Sequence, residues 1–147
     1  MKRTILAVAL ATALVWSATA AAKECKPVSG TFEATIVPCA APFCTAGTLT
    51  GSLTSSYAFT MTSAMQEGPL LTFTGASTIT NTFGGAELYG SDTGWINFAT
   101  GQFETTVNIT GGTKQYEGAS GQLVATGNLT PTGTVGTYAG ELCKHFD

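Results

Sequence analysis

Side chains able to do acid–base chemistry are few in this sequence, and none belongs to a recognisable catalytic set. Glu33, Glu87 and Glu104 fall in segments typical of strands, whereas Asp92 begins Asp92-Thr93-Gly94, which we interpret as a hairpin turn. A glutamate opposite the apolar face of a strand is normally solvated. The sequence therefore assigns no catalytic residue.

A sheet that closes around a polar interior would change the role of some of these side chains. Glu33 or Glu87 would then face the cavity, and Tyr57, Tyr89 and Trp95 could form an aromatic wall for a ligand. The alternatives are solvated glutamates and aromatic rings that pack in the core or on the exterior. These five residues are the candidates for a cavity lining.

Two motifs with a sharper chemical meaning lack the surroundings that they need. Asp92-Thr93-Gly94 matches the triplet of aspartic proteases, but that site requires two carboxylates that share a proton, so one copy would need a dimer. The Gly-rich run at residues 111–121 could cradle a phosphate, but it lacks the Lys-Ser/Thr ending of a P-loop, and no helical pattern follows it. We therefore expect neither a protease nor a nucleotide site, and no cofactor.

The cysteines are the remaining reactive groups: Cys25, Cys39, Cys44 and Cys143. No Cys-x-x-Cys spacing occurs, and His145 is the single histidine. A zinc site and a His-paired catalytic thiol are both disfavoured, so we expect no metal. An even number of cysteines in an oxidising compartment indicates two disulfides instead.

The N-terminal segment predicts such a compartment. Lys2 and Arg3 precede a largely apolar run at residues 5–16, and two overlapping small-x-small sites follow, at residues 18–20 and 20–22. This is the layout of a secretory signal peptide, and its apolar run is too short for a comfortable membrane span. We assign residues 1–22 to the signal and 23–147 to one domain, with cleavage that leaves a mature start between Ala21 and Lys23. The protein is expected to be secreted or periplasmic, without a membrane span after cleavage.

The composition of the remaining chain limits which binding partners and which fold classes we expect. Nine acidic and four basic residues follow residue 22, which gives a net charge of 4 − 9 = −5. A phosphate-tracking nucleic-acid binder and a binder of anionic membranes are therefore disfavoured. All 18 glycines and 24 threonines also lie there, and both residue types disfavour helix interiors.

Alternating apolar and polar residues predict strands along most of the mature chain. In residues 102–110, Phe103, Thr105, Val107 and Ile109 share one face. Residues 31–36 alternate in the same way, and residues 57–65 place Met65 on the face of Tyr57. Glycines punctuate these segments, and residues 37–46, with two prolines, are expected to form a loop. The pattern favours an all-β meander that closes as a sandwich or a barrel.

The Gly-rich run contains the densest local signal: Gly111, Gly112, Tyr116, Gly118 and Gly121. We interpret it structurally, as glycines that permit tight turns and a tyrosine that covers the end of a barrel. The run resembles the allene oxide cyclase and dirigent-like barrels, and the resemblance covers about residues 73–142. Three further segments fit the same pattern: Asp92-Thr93-Gly94 and Thr100-Gly101-Gln102-Phe103 upstream, and Gly136-Thr137-Tyr138-Ala139-Gly140 downstream. The resemblance implies an eight-stranded antiparallel β-barrel with an apolar cavity. It also implies homo-oligomers, because plant members are often trimers. This chain would be a secreted bacterial member of unknown role.

Three functions fit this interpretation. The leading one is a barrel that binds a small apolar ligand without chemistry. The second is a cyclase or isomerase of the allene oxide cyclase type, in which the cavity shapes a flexible substrate. The third is a structural or partner-binding extracellular module with a solid barrel. An apolar cavity of several hundred Å³ would favour the first two.

A closed barrel also selects among the three disulfide pairings that four cysteines allow. Barrel closure brings the first and last strands together, which favours Cys25–Cys143. Cys39 and Cys44 flank four residues of one loop, which favours a bridge between them.

Overall fold

A computed structural model describes residues 22–146 and contains eight antiparallel strands in a closed barrel. Each strand pairs with the next along the chain, and the first pairs with the last. The strands are β1 Glu24–Ile36, β2 Cys44–Gly51, β3 Ser55–Glu67, β4 Leu70–Asn81, β5 Glu87–Asn97, β6 Gln102–Gly112, β7 Ser120–Leu129 and β8 Gly133–Lys144. The eight-stranded antiparallel barrel expected from the sequence is confirmed. Closure leaves no sheet edge open to pairing with another chain.

The proposed signal peptide lies outside the described residues, apart from Ala22. Its cleavage and the export of the protein therefore stay predictions. Within residues 22–146, no helix is long and apolar enough to cross a membrane. A single turn of 3-10 helix, Lys114–Tyr116, interrupts the connection between β6 and β7.

Side chains alternate between the interior and the exterior of the barrel as the sequence pattern predicts. Phe103, Thr105, Val107 and Ile109 on β6 are all buried, because residues two apart on a strand point to the same face. Phe32 and Ala34 of β1 are buried in the same way. The core is thus a single cluster inside the barrel.

The expected face of Met65 is wrong, because β3 contains an irregularity. Register with β4 shifts between Met61 and Ser63, so that Met61 lies opposite Gly75 and Ser63 opposite Thr74. One extra residue in a strand reverses the side-chain alternation beyond it. Met61 is buried, whereas Met65 is 66% exposed.

The seam between β1 and β8 is covalently closed near one end of the barrel. Cys25 lies directly opposite Cys143 in the antiparallel register, and the two form a disulfide with Cα atoms 3.9 Å apart. Cys39 and Cys44 form the second disulfide, with Cα atoms 6.2 Å apart. Both pairs are those that the barrel argument favours. The loop is shorter than expected, because β2 already begins at Cys44.

The two ends of the barrel differ in how they are covered. One end, here called the capped end, contains the connections at residues 52–54, 82–86 and 113–119, and Leu53, Ala86, Tyr116 and Ala119 are buried there. The opposite end, the hairpin end, contains the connections at residues 37–43, 68–69, 98–101 and 130–132. The interior is therefore plugged by side chains at the capped end.

Tyr138 ties the capped end together from within the core. Its hydroxyl donates to the carbonyl oxygen of Thr50 at 2.7 Å and accepts from the backbone N–H of Leu53 at 3.0 Å. Leu53 is thus held by a side chain of β8, far away in the chain. The bond fixes the β2–β3 connection over the barrel end.

The Gly-rich run has the geometry of a turn that needs glycine. Gly118 and Gly121 have φ angles of +67° and +135°, which L side chains rarely adopt. Gly112 has no such φ, but a Cβ there would lie 2.3 Å from the carbonyl oxygen of Glu87. Tyr116 is buried beneath this turn. This placement agrees with a structural role for the run.

Candidate ligand cavity

The barrel interior contains a cavity of about 100 Å³ with a mainly apolar lining. Two groups of aromatic rings border it. Phe32 lies 6.2 Å from Tyr57 and 6.0 Å from Phe103 between ring centroids, and Phe59 lies 5.6 Å from Phe73. Edge-to-face and tilted pairs at these distances are favourable and hold the rings in place.

Asp92 is the one acidic side chain among the lining residues. It lies in the middle of β5, opposite Gly75 of β4 and Val107 of β6, and it is 1% exposed. The hydroxyl of Ser77 donates a hydrogen bond to its Oδ2 atom. Its Oδ1 atom has no hydrogen-bond partner among residues 22–146. Burial raises the pKa of this carboxyl to about 6, although the Ser77 hydrogen bond opposes the shift.

Glycines on β4 and β5 leave the space that Asp92 and the rings occupy. A Cβ on Gly75 would lie 2.3 Å from a ring carbon of Phe59. A Cβ on Gly90 would lie 2.5 Å from Val107 and 3.2 Å from Oδ1 of Asp92. Because both positions carry no side chain, the Phe59 ring lies against the β4 backbone and the carboxyl faces the cavity.

Tyr57 is a second polar group at the cavity, and it is the one sequence candidate that lines it. Burial raises the pKa of its phenol, while the hydroxyls of Thr134 and Thr45 beside it oppose that shift. Its protonated hydroxyl can donate or accept a hydrogen bond. The polar side chains that line the otherwise apolar cavity are Asp92, Ser77, Tyr57, Thr45, Thr105, Thr134 and Tyr138.

The other four candidates do not line the cavity. Glu33 is exposed, because its neighbours Phe32 and Ala34 point inward and the alternation turns Glu33 outward. Glu87, Tyr89 and Trp95 lie on the outer face of β5, the face opposite to that of Leu88, Asp92 and Ile96.

These outward residues make contacts of their own. The Tyr89 hydroxyl donates to Oε2 of Glu87 at 2.6 Å, and this bond to the glutamate raises the pKa of the phenol. Trp95 borders a shallow outer groove of about 320 Å³ together with Glu104. Neither contact reaches the interior.

Asp92 is the residue that the sequence interpretation missed. Asp92-Thr93-Gly94 is not a turn but lies inside β5. The signal that could have found Asp92 is its spacing, since Leu88, Asp92 and Ile96 recur at every fourth position and so share one face of a strand. The larger aromatic side chains of the opposite face obscured it.

Asp92 is the one Asp, Glu, His or Cys side chain that lines the cavity, which is too few for a metal centre. Among residues 22–146, no group of three or more His, Cys, Asp or Glu side chains could hold a metal ion. The cavity offers one carboxylate with hydroxyl groups around it. Its chemistry is that of a hydrogen-bond acceptor, or of an acid when the carboxyl is protonated.

Comparison with known proteins supports the fold. No family model matches the chain, and no curated protein matches it. Among solved structures, it is similar to a pterocarpan synthase dirigent protein, with a TM-score of 0.54, 16% sequence identity, and coverage of 88% of this chain and 89% of that one. The fold is that of a dirigent-like barrel. At 16% identity the similarity shows the dirigent-like fold alone. It supports neither a relation to allene oxide cyclase nor a bacterial source.

Proposed function

We propose that this dirigent-like barrel binds a small, mainly apolar molecule in its interior and releases it unchanged. The observation that carries the proposal is the free Oδ1 atom of Asp92 at an apolar cavity. A buried acceptor without a partner costs free energy, about 1–3 kcal/mol or more for a charged group. A ligand with a hydrogen-bond donor would remove that cost, and the aromatic lining would bury the rest of the ligand.

The size of the cavity limits this ligand. At about 100 Å³ it is smaller than the several hundred Å³ that are typical of small-molecule binding sites. It is also below the roughly 150 Å³ of an engineered apolar cavity that admits benzene. The ligand would therefore have only a few non-hydrogen atoms, and a fatty-acid-sized substrate of the allene oxide cyclase type would need the barrel to open.

A small-substrate isomerase is the second candidate, because Asp92 and Tyr57 line the same cavity. A buried carboxyl with a raised pKa is a common general acid or base. Under this alternative Asp92 would move a proton within a bound substrate. The solid barrel is the third candidate, and the small cavity volume favours it over larger-ligand functions.

The place of action is proposed to be outside the cytoplasm. The two disulfides, Cys25–Cys143 and Cys39–Cys44, support it, because such bonds form and persist in oxidising compartments. We also propose that the protein forms homo-oligomers, and this part of the proposal is supported only by the resemblance to the dirigent-like barrels.

Mass spectrometry of small molecules extracted from natively purified protein tests the function. The expected result is a compound enriched in the wild type and depleted in Ala125→Leu, since Ala125 lines the cavity and a leucine would fill it. Val135→Leu, on an exposed side chain, is the control. A compound that returns chemically altered after incubation would favour the isomerase, and equal content in all three proteins would contradict an internal site.

A further inference from the structure

We propose that the cavity takes a small organic cation, a primary or methylated ammonium group on a short hydrocarbon body, with its nitrogen at Oδ1 of Asp92. This inference rests on the proposed function, because it names the ligand class of the same cavity. It follows from the charge, the aromatic lining and the volume of the site.

The charge of the cavity is unbalanced. Asp92 is the one carboxyl among the lining residues, and no lysine, arginine or histidine of the described chain is among them. Lys26 and Lys144 instead place their amino groups over the Phe146 ring, at 3.9 and 4.8 Å from its centroid, outside the barrel. A buried carboxylate normally needs a cation or several hydrogen bonds. Here one oxygen accepts from Ser77 and the other remains free.

The lining provides the second element of ammonium recognition. Seven aromatic rings border the cavity: Phe32, Phe43, Tyr57, Phe59, Phe73, Phe103 and Tyr138. The negative face of an aromatic ring attracts a cation, and the attraction is strongest where water is excluded. Aromatic rings with one buried carboxylate are suited to an alkylammonium ion, because the rings contact its carbon atoms and the oxygen accepts its N–H.

The small volume of the cavity excludes most larger amines. A cavity of about 100 Å³ holds several water molecules, since about 10–15 Å³ of such space is enough for one. It accommodates an ammonium group with a few carbon atoms and excludes an arylalkylamine. Water alone in the cavity is the competing occupant.

Isopropylammonium and propan-2-ol form a matched pair of probes, because both have four non-hydrogen atoms and a hydrogen-bond donor but only the first is charged. Their dissociation constants would be measured by isothermal titration calorimetry at about pH 7.5, where Asp92 is ionised. The wild type is expected to bind isopropylammonium about tenfold more tightly than propan-2-ol, since a charge-assisted hydrogen bond is roughly twice as strong as a neutral one.

Two variants locate the charge effect. Asp92→Asn is expected to lose the tenfold preference, whereas Glu104→Gln, which removes a carboxyl beside the outer groove of Trp95, is expected to keep it. Equal or tighter binding of propan-2-ol would overturn the cation proposal and leave the small-ligand function standing. Binding of neither probe would overturn the cation proposal, and unchanged preference in Asp92→Asn would place the cation elsewhere.

Discussion

Ser77 donates its hydroxyl hydrogen to one carboxyl oxygen of Asp92, and the other oxygen faces the cavity without a partner. The two residues lie on neighbouring strands, β4 and β5, and both point into the barrel. This pair distinguishes the interior from an ordinary apolar core. The raised pKa of this carboxyl affects how stability depends on pH, and its free oxygen affects which ligands the cavity can bind.

The pH dependence of stability should change when Asp92 loses its charge. In the folded protein the pKa of this carboxyl is about 6, whereas its ordinary pKa, as in an unfolded chain, is 3.8. The folded state therefore binds more protons between these values, and the free energy of unfolding falls as pH rises through this window. The loss should be about 3 kcal/mol at about 1.4 kcal/mol per pKa unit.

Urea unfolding of the wild type and of Asp92→Asn between about pH 3.5 and 7.5 measures this effect. The wild type should lose about 3 kcal/mol relative to the variant as pH rises. Glu33→Gln controls for the loss of one exposed carboxyl. A constant difference between the wild type and Asp92→Asn would show that Asp92 is solvated.

Tyr138→Phe should destabilise the capped end. The substitution leaves the buried N–H of Leu53 and the carbonyl of Thr50 without the hydroxyl that pairs them. The expected loss is about 1–3 kcal/mol in the free energy of unfolding. Tyr89→Phe, which removes a hydroxyl on the outer face, should cost less than about 0.5 kcal/mol. Equal losses in thermal unfolding would contradict a special role for Tyr138.

The two disulfides should contribute unequally to stability. Cys25–Cys143 spans 118 residues and Cys39–Cys44 spans 5. In the loop-entropy model, replacing the first pair by serine costs about 4–5 kcal/mol and replacing the second about 2 kcal/mol. Chemical denaturation of both double variants tests the order. A larger loss from the short bridge would mean that native contacts, rather than chain entropy, set the difference.

Gly112 and Gly118 should tolerate alanine differently. Gly118→Ala forces a side chain into a positive φ with no atoms nearby, and the expected cost is about 1 kcal/mol. Gly112→Ala places a Cβ against the backbone of Glu87, which cannot move without disturbing the β5–β6 pairing, so its cost should be larger. The melting temperatures of the two variants show which substitution destabilises the protein more. If both variants kept the wild-type melting temperature but lost ligand binding, the Gly-rich run would instead be part of the ligand site.

The barrel could be predicted from the sequence because most strands expose a clear two-residue period. β6 is the clearest example, with four alternating residues buried as expected. Met65 could not be placed, because the irregularity after Met61 depends on the register with β4 and leaves no mark in the local pattern.

The site was harder to predict, because the large aromatic residues of β5 lie on one face of the strand and Asp92 lies on the other. Tyr89 and Trp95 are larger than the residues of the inner face, yet they lie outside. The interior has little room beside β5, since a Cβ on Gly94 would lie 2.7 Å from the Phe73 ring. Which face turns inward therefore depends on side chains of neighbouring strands.

Methyl NMR of the protein with isopropylammonium and with propan-2-ol tests most directly whether the interior around Asp92 is a ligand site. At least one probe should shift methyl resonances of Met61, Ile79, Ile96 and Val107, which line the cavity, and leave Leu142 and Ile36, which do not, unchanged. Ala125→Leu should abolish these shifts. An internal ligand site is contradicted if neither probe shifts a methyl resonance of a lining residue, or if Ile36 and Leu142 shift as much as the lining residues.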